Sequence, residues 1–224
     1  LEPRLLQEWL FRFGYGREIP LACPTEAGPG MVRRALKQAP GQIGSELVSA
    51  YTEIESLEQI PPLEPWERRL FGIGHGNFRV TPLQVAETFA TIARGGRHKP
   101  PRLFLAPEAP ETRRTEPGDL QIASSALHVT ADGMDAVVNE RGGTAYDAFK
   151  PANLARQGVK VYGKTGSTER PDNAWFAGYA EDRQGARIAL AVVVEGGMHG
   201  SSDAAPLARE ILQCCLEAGY VGTP

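Results

Sequence analysis

The residues of this chain best suited to chemistry are a lysine and three hydroxyl residues, together with two glycines, in the run G-K-T-G-S-T at residues 163–168. An apolar segment precedes the run, which predicts that the run ends a β-strand. In a strand Thr165 and Ser167 share a face, so together they offer two hydroxyl donors to an anion such as a carboxylate. The ammonium of Lys164 can orient an acyl substrate or activate a neighbouring hydroxyl. These residue types indicate one wall of an acyl-transfer site.

The second glycine of the run, Gly166, is predicted to leave the strand backbone uncovered between the hydroxyls of Thr165 and Ser167. A flat ligand can then lie along the strand as an additional β-partner. In that arrangement the backbone N–H of Ser167 is free to stabilise a developing oxyanion. A K-T-G tripeptide alone also fits an ordinary solvated strand end. Other segments of the chain are therefore needed to distinguish an active-site wall from such a strand end.

Three short strands are predicted in the last third of the chain, where Val, aromatic and alternating apolar residues concentrate. A polar hairpin loop at residues 181–185 joins the second strand to the third. The third strand is apolar on both faces, which predicts a central strand covered on both sides. The predicted strands are Val159–Gly163, Ala174–Ala180 and Ile188–Glu195.

A helix is predicted to close the chain after the third strand. Ser202 or Asp203 is the expected N-cap, because short polar side chains accept hydrogen bonds from the first free amides of a helix. The helical period then predicts that Leu207, Ile211 and Leu212 face the sheet.

Three further helices are predicted upstream of the strands. Thr81 and Gln84 form a capping box around Pro82, and a helix follows as far as Gly95-Gly96. Between this helix and the next, residues 97–121 are predicted to form a surface connection because they are rich in proline and charge. The other two helices are predicted from apolar residues that recur at the helical period. The first contains Leu5, Leu6, Trp9, Leu10 and Phe13, and the second contains Leu127, Met134 and Val138 and ends at Gly142-Gly143.

The composition is that of a globular protein with no strongly charged partner. The chain has 224 residues, 42% of them hydrophobic, and a formal net charge of −3. Its Lys and Arg residues are scattered, so nucleic acid is not an expected partner. The three cysteines have no metal-binding spacing, and no stretch is long and apolar enough to span a membrane.

Several segments, in the same order along the chain, resemble the penicillin-binding protein transpeptidases, most closely the monofunctional class B enzymes. The K-T-G run resembles the third active-site motif of that family. The others resemble the stretches between the family's second and third motifs and the stretches after the third: Phe13-Gly14-Tyr15-Gly16 with Glu26-Ala27-Gly28, Phe71–Gly76, Val80–Ala86, Gly142–Ala145, Trp175–Tyr179, Val192–Glu195 and Ala204–Pro206.

The resemblance implies a fold class and the part of the family's domain to which this chain corresponds. The expected fold is α/β (α+β) of the penicillin-binding and β-lactamase type, an antiparallel sheet flanked by helices, incomplete at the N-terminus. Residues 1–224 are expected to be the C-terminal portion of a transpeptidase domain. Residues 1–150 form its mainly helical and loop part, and residues 151–224 form three strands and the closing helix.

The activity implied is peptidoglycan cross-linking by serine acyl transfer. A serine attacks the D-Ala-D-Ala carbonyl of a stem peptide, D-Ala leaves, and an amine of a second stem completes the cross-link. Lys164, Thr165 and Ser167 are implied to be catalytic, with Lys164 helping to hold the proton network. The whole run from Lys164 through Thr165, Gly166, Ser167 and Thr168 is implied to bind the substrate or a β-lactam. No cofactor or metal is implied.

The chain departs from the family pattern at the nucleophile. The family uses S-x-x-K for nucleophile and base and S-x-N for a proton shuttle, and no serine of this sequence fits either spacing. In the family both motifs precede segments like those beginning near Phe13. We therefore expect that a missing N-terminal portion of the same protein supplies them. This fragment alone is predicted to be inactive, and its last strand, Ile188–Glu195, is expected to need N-terminal strands beside it.

Two alternatives to the transpeptidase stay open on the sequence. One is a D,D-carboxypeptidase or β-lactamase-like hydrolase, which sends water rather than an amine to the acyl-enzyme. The other is a non-catalytic β-lactam sensor or scaffold. The expected partners are peptidoglycan stem peptides and β-lactams, with other cell-wall or division proteins left open. The expected location is the periplasm or the outer face of the cytoplasmic membrane, with any membrane anchor in the missing N-terminal part.

Overall fold

The structure is a computed structural model of the 224-residue chain. It describes residue 2 and residues 4–19, 38–45, 53–101, 118–169 and 171–222. The Glu26-Ala27-Gly28 segment and most of the predicted connection at 97–121 lie outside the described residues.

The described chain contains helices in its first two thirds, then a three-stranded antiparallel sheet and a closing helix. The α-helices are α1 (Leu5–Arg12), α2 (Pro65–Phe71), α3 (Pro82–Ala93), α4 (Ser124–Asn139), α5 (Tyr146–Phe149) and α6 (Ala205–Glu217). The strands are β1 (Val159–Thr168), β2 (Asn173–Asp182) and β3 (Arg187–Glu195). Short 3₁₀ turns lie at Leu57–Gln59 and Leu154–Gln157, and a π turn lies at Gly200–Ala204.

The chain forms two compact units. The first contains Leu1–Gln84 and Arg97–Leu120, and the second contains Val85–Gly96 and Gln121–Pro224. The K-T-G run lies in the second unit.

The first unit has a small apolar core with buried polar anchors. Gln7 of α1 is fully buried, and its Nε2 donates to the backbone oxygens of Ile43 at 3.0 Å and Pro61 at 3.1 Å. Because these bonds join segments far apart in sequence, they hold the irregular chain around the helix. The core residues are Tyr15, Ile43, Ile54, Ile60, Leu63 and Phe71.

The predicted capping box at the start of α3 is confirmed. The amide of Thr81 donates to Gln84 Oε1 at 2.9 Å, and the amide of Gln84 donates to Thr81 Oγ1 at 3.2 Å. Gln84 Nε2 also donates to the backbone oxygens of Arg17 and Pro40. Gln84 therefore joins three segments of the first unit that are far apart in sequence.

The second unit contains the antiparallel sheet, in the order β1-β2-β3. All three predicted strands are present, and β1 continues five residues beyond the predicted end at Gly163, through Thr168. β3 pairs only with β2 among the described residues, and Leu190 is its single buried residue. The central position predicted for this strand is therefore not found in the described sheet.

The prediction for α6 was wrong in two respects. Leu207 and Ile211 were expected to face the sheet, but they are 48% and 44% exposed. The buried face consists of Ala205, Ala208 and Leu212. No side chain caps the helix, because Asp203 accepts amides that precede the π turn instead of those that begin α6. Small alanines let the helix approach the sheet closely, whereas the prediction placed the largest apolar residues of the helix against the sheet.

The hairpin between β2 and β3 is closed by Asp182. One carboxylate oxygen accepts the amides of Gln184 and Ala186, both at 2.9 Å, and the other accepts the amide of Gly222 at 2.9 Å. The Gly222 amide first, and then those of Ala186 and Gln184, hold the pKa of Asp182 below its usual range. The side chain thus fastens the C-terminal residues to the end of the sheet farthest from the K-T-G run.

Candidate functional site

The K-T-G run is part of β1 rather than a loop after it. Lys164 pairs with Ala177 and Gly166 with Trp175 in the antiparallel register, so β2 supports the run along its whole length. On its other side β1 has no strand partner among the described residues. We call residues 164–168 the K-T-G wall. The wall therefore combines a fixed backbone with an open strand edge.

Alternation along β1 divides the wall between two faces. Thr165 and Ser167 share one face, as the sequence predicted, and Lys164 and Thr168 lie on the other. The exposed Lys164 side chain folds along the strand, and its Nζ donates to the backbone oxygen of Thr165 at 2.7 Å. Within the described residues no carboxylate pairs with Lys164. Its remaining ammonium protons can bind a ligand.

The other lysine of β1 is held differently. Lys160 Nζ lies 2.8 Å from Asp135 Oδ2 on α4. The hydrogen bond to Asp135 raises the pKa of Lys160.

On the same face of the strand as Lys160, the rings of Tyr162 and Tyr179 stack at 4.7 Å, and burial together with the neighbouring Tyr162 raises the pKa of Tyr179 to about 12. Tyr179 therefore remains a neutral phenol and is not a candidate general base.

The hydroxyl of Thr165 is held by a second threonine. Thr165 is only 8% exposed, and its Oγ1 lies 2.7 Å from Thr144 Oγ1. Each hydroxyl can donate one proton and accept others, so this pair fixes the rotation of Thr165. If Thr144 donates, the proton of Thr165 is available to a ligand.

A glycine pair brings Thr144 to the wall. Gly142 lies three residues beyond the end of α4 and has a φ of +96°, in the region that favours glycine. A Cβ on Gly143 would overlap the backbone oxygens of Ala136 and Val137, so the chain passes directly over the end of α4. Gly142–Ala145 was singled out by resemblance, with no role given to Thr144. The position of Thr144 directly after a pair of glycines was the available signal.

The two hydroxyls at the far end of the wall differ in their partners. The exposed Ser167 accepts the amide of Gly200 at 3.2 Å, which leaves its own proton to donate. Thr168 donates to the backbone oxygen of Pro171 at 2.9 Å, within the turn to β2. Ser167 is therefore the better placed of the two to donate a hydrogen bond to a ligand.

Gly166 is less open than the sequence suggested. A Cβ on Gly200 would overlap the Gly166 backbone, so Gly200 covers one face of the strand at that point. On the other face, a Cβ on Gly166 itself would lie 3.3 Å from the Cβ of Trp175. The uncovered direction is the strand edge, where an extended ligand can add as a further strand.

The described part of the chain holds no cluster of three or more metal-ligating side chains. The wall combines one ammonium, two oriented hydroxyls and a strand edge that has no strand partner among the described residues. Such a surface suits an extended, anionic ligand.

A family profile described as the penicillin binding protein transpeptidase domain matches residues 1–213. The peptidoglycan D,D-transpeptidase MrdA of Haemophilus influenzae is 27% identical over 237 residues, which cover 94% of this chain and 32% of that protein. The peptidoglycan D,D-transpeptidase PbpA of Mycobacterium tuberculosis is 29% identical over 165 residues, which cover 65% of this chain and 31% of that protein. The chain thus spans about a third of the length of these curated relatives.

Solved structures show the same fold. The crystal structure of Pseudomonas aeruginosa PBP2 in complex with WCK 5153 matches with a TM-score of 0.70 and 26% identity, covering 93% of this chain and 43% of that one. The penicillin-binding protein of the Helicobacter pylori PBP2–MreC complex matches with a TM-score of 0.68 and 21% identity, covering 99% of this chain and 37% of that one.

Proposed function

The chain belongs to the penicillin-binding protein transpeptidase family, and on that premise we propose that it forms one side of the active site of a peptidoglycan D,D-transpeptidase. The observation that carries the proposal is the K-T-G wall itself, with the Thr165 hydroxyl held at 2.7 Å by Thr144. A wall of this kind can hold the terminal carboxylate of a stem peptide while its carbonyl is attacked.

The reaction we propose is acyl transfer between two stem peptides. A serine hydroxyl attacks the carbonyl of the terminal D-Ala-D-Ala bond, and D-Ala leaves with the proton that the serine lost. The amine of a second stem peptide then attacks the carbonyl of the acyl-enzyme ester, the new amide forms as the bond to the serine oxygen breaks, and the serine hydroxyl is restored with a proton from the amine. No S-x-x-K sequence occurs among these 224 residues, and we propose that the reacting serine is supplied by polypeptide outside them.

Each residue of the wall has a proposed role in this reaction. The ammonium of Lys164 stabilises negative charge on the reacting groups and helps to hold the proton network. The hydroxyls of Thr165 and Ser167 donate to the substrate carboxylate, and the backbone N–H of Ser167 forms half of the oxyanion hole. Gly166 and Thr168 shape the strand edge along which the substrate lies.

The first test is covalent labelling by a fluorescent penicillin. We expect the polypeptide encoded by the complete gene, called the full gene product below, to form an acyl-enzyme whose mass equals that of the protein plus the intact penicillin. Failure of the native, folded protein to acylate would contradict the proposal. Retention of penicillin without a covalent bond would support a sensor or scaffold.

The second test separates the transfer reaction from hydrolysis. The full gene product is incubated with paired stem peptides, and cross-linked and trimmed products are counted by mass spectrometry. A transpeptidase yields the cross-linked dimer. Trimmed monomer alone would show a D,D-carboxypeptidase or related hydrolase.

Replacing Thr144 by Val tests the hydroxyl pair. We expect the second-order rate constant of acylation by penicillin to fall roughly 5–10-fold, because Thr165 loses the partner that orients it. Thr144→Ser keeps the hydroxyl and is expected to retain the wild-type rate constant. The matched control is Thr130→Val, which removes an exposed hydroxyl of α4. Equal rate constants for Thr144→Val and Thr130→Val would show that the pair has no part in ligand binding.

We further propose that the protein acts outside the cytoplasmic membrane, where peptidoglycan lies. Of the helices in the described residues, none has the length and apolar character needed to cross a bilayer. Labelling of intact cells with a penicillin that does not cross the cytoplasmic membrane tests this proposal. Labelling only after lysis would contradict it.

A further inference from the structure

The connection between β3 and α6, residues 196–204, rests directly on the K-T-G wall. A Cβ on Gly200 would lie well inside 3.0 Å of the backbone oxygens of Gly166 and Trp175, and 2.8 Å from the Gly166 nitrogen. Only glycine fits at this position without a shift of the strand or of the connection. The chain then makes the π turn Gly200–Ala204. Such turns are rare and occur often at functional sites.

The contact with the wall includes a directed hydrogen bond. The amide of Gly200 donates to Ser167 Oγ at 3.2 Å. A hydroxyl has one proton and two lone pairs, so an amide that occupies one lone pair limits the directions in which the proton can point. The position of the Gly200 amide therefore determines how Ser167 presents its proton to a ligand.

Asp203 holds this connection in place. One carboxylate oxygen accepts the amides of Met198 at 2.7 Å and His199 at 3.1 Å, and the other accepts the hydroxyl of Ser202 at 2.8 Å. These bonds bracket Gly200 from both sides along the chain. The His199 amide first, and then the Ser202 hydroxyl and the Met198 amide, keep the pKa of Asp203 below its usual range, so the acceptor stays ionised at neutral pH.

We propose that Asp203 is a positioning residue of the K-T-G wall. Its carboxylate braces residues 198–202 so that the Gly200 amide orients the Ser167 hydroxyl toward the carboxylate of an incoming acyl ligand. The ligand part of this inference rests on the proposed function, whereas the brace is a property of the fold. The two parts can be tested separately.

The chain provides a matched control for a merely structural role. Asp182 is also a carboxylate that accepts three protein donors, the amides of Gln184, Ala186 and Gly222. It pairs with Val159 at one end of β1, whereas Ser167 pairs with Ala174 near the other end. At about 3.3 Å per residue, these positions are roughly 26 Å apart along the strand. A stabilising aspartate with no link to the wall is expected to behave like Asp182.

Hydrogen exchange of the full gene product, followed by mass spectrometry of its peptides, tests the brace without any ligand. Asp203→Asn keeps the shape of the side chain and is expected to speed exchange in residues 198–200 about tenfold. Asp182→Asn is expected to speed exchange in residues 184–186 and at Gly222 and to leave residues 198–200 unchanged. Unchanged exchange at residues 198–200 in folded Asp203→Asn protein would overturn the proposal.

Penicillin binding tests the link to Ser167. Asp203→Asn is expected to raise the dissociation constant of the noncovalent complex about tenfold and to leave the acylation step within about twofold, because an oriented hydrogen bond to the ligand is lost. In a Ser167→Ala background the same substitution is expected to change the dissociation constant less than about twofold. Asp182→Asn is expected to have no effect in either background.

The outcomes separate the two proposals. A tenfold effect of Asp203→Asn that persists in Ser167→Ala protein would show that Asp203 does not act through Ser167. An effect equal to that of Asp182→Asn would show a structural role only. If the wild-type protein does not react with penicillin at all, the proposed function fails, and the exchange experiment still decides whether Asp203 braces the connection.

Discussion

Replacing Lys164 by Ala is expected to lower the second-order rate constant for acylation of the full gene product by penicillin about 10²–10³-fold, the loss that follows removal of one preorganised charge stabiliser. The side chain is exposed, and its Nζ contacts only the neighbouring Thr165 backbone oxygen among the bonds described. Because so little of the fold depends on it, the midpoint of thermal unfolding is expected to stay within about 1 °C of wild type.

A matched lysine on the same strand controls for the loss of positive charge. Lys160 lies on the same face of β1 four residues earlier and forms an ion pair with Asp135 on α4. Half-exposed pairs of this kind contribute about 1 kcal/mol or less. Lys160→Ala is therefore expected to leave the acylation rate constant unchanged. Equal losses in the two variants would mean that Lys164 acts only through the net charge of the surface.

The second large effect is expected from Gly178→Ala, which should destabilise the sheet beside the wall. Gly178 lies opposite Gly163 in the register, and Gly163 directly precedes Lys164. A Cβ on Gly178 would overlap the backbone oxygen of Tyr162 and lie 2.9 Å from the Gly163 Cα. Relief requires the strands to separate, because backbone atoms cannot rotate away. We expect a loss of about 2–3 kcal/mol in the free energy of unfolding.

Thermal unfolding of the full gene product measures this loss as a fall of roughly 2–6 °C in the midpoint. The matched control is Gly133→Ala in α4, where an added Cβ meets no atom within 4 Å. Alanine is the better helix former by about 0.5–1 kcal/mol, so this control is expected to raise the midpoint. A Gly178→Ala protein as stable as wild type would show that the two strands can separate at little cost.

Features that depend on neighbours in sequence were predictable from the residues alone. The α3 capping box needs only Thr81, Pro82 and Gln84 within four consecutive positions, and its two hydrogen bonds are those the sequence predicted. The strands followed from alternation and β-branched content, and the shared face of Thr165 and Ser167 followed from the two-residue period. The family likewise followed from short segments in a fixed order, which the profile match over residues 1–213 confirms.

Features that depend on distant residues appeared only in the tertiary structure. The partner of Thr165 lies 21 residues away, and the amide that orients Ser167 lies 33 residues away. Ser202 or Asp203 was expected to cap α6, since short polar side chains before a helix usually do so. No side chain caps it, and Asp203 accepts amides that precede the π turn. Likewise, α6 packs through Ala205 and Ala208, because close approach to the sheet favours small residues over Leu207 and Ile211.

The sequence by itself thus determined the type of wall this chain carries, because residue types and a strand period suffice to place two hydroxyls on one face of a strand and an ammonium next to them in the chain. Only the tertiary structure decided what orients them. Gly200 and Thr144 reach the wall from elements that no local pattern links to β1. The reason is physical: hydrogen-bond partners across a fold are selected by three-dimensional packing, and spacing along the chain does not encode that packing.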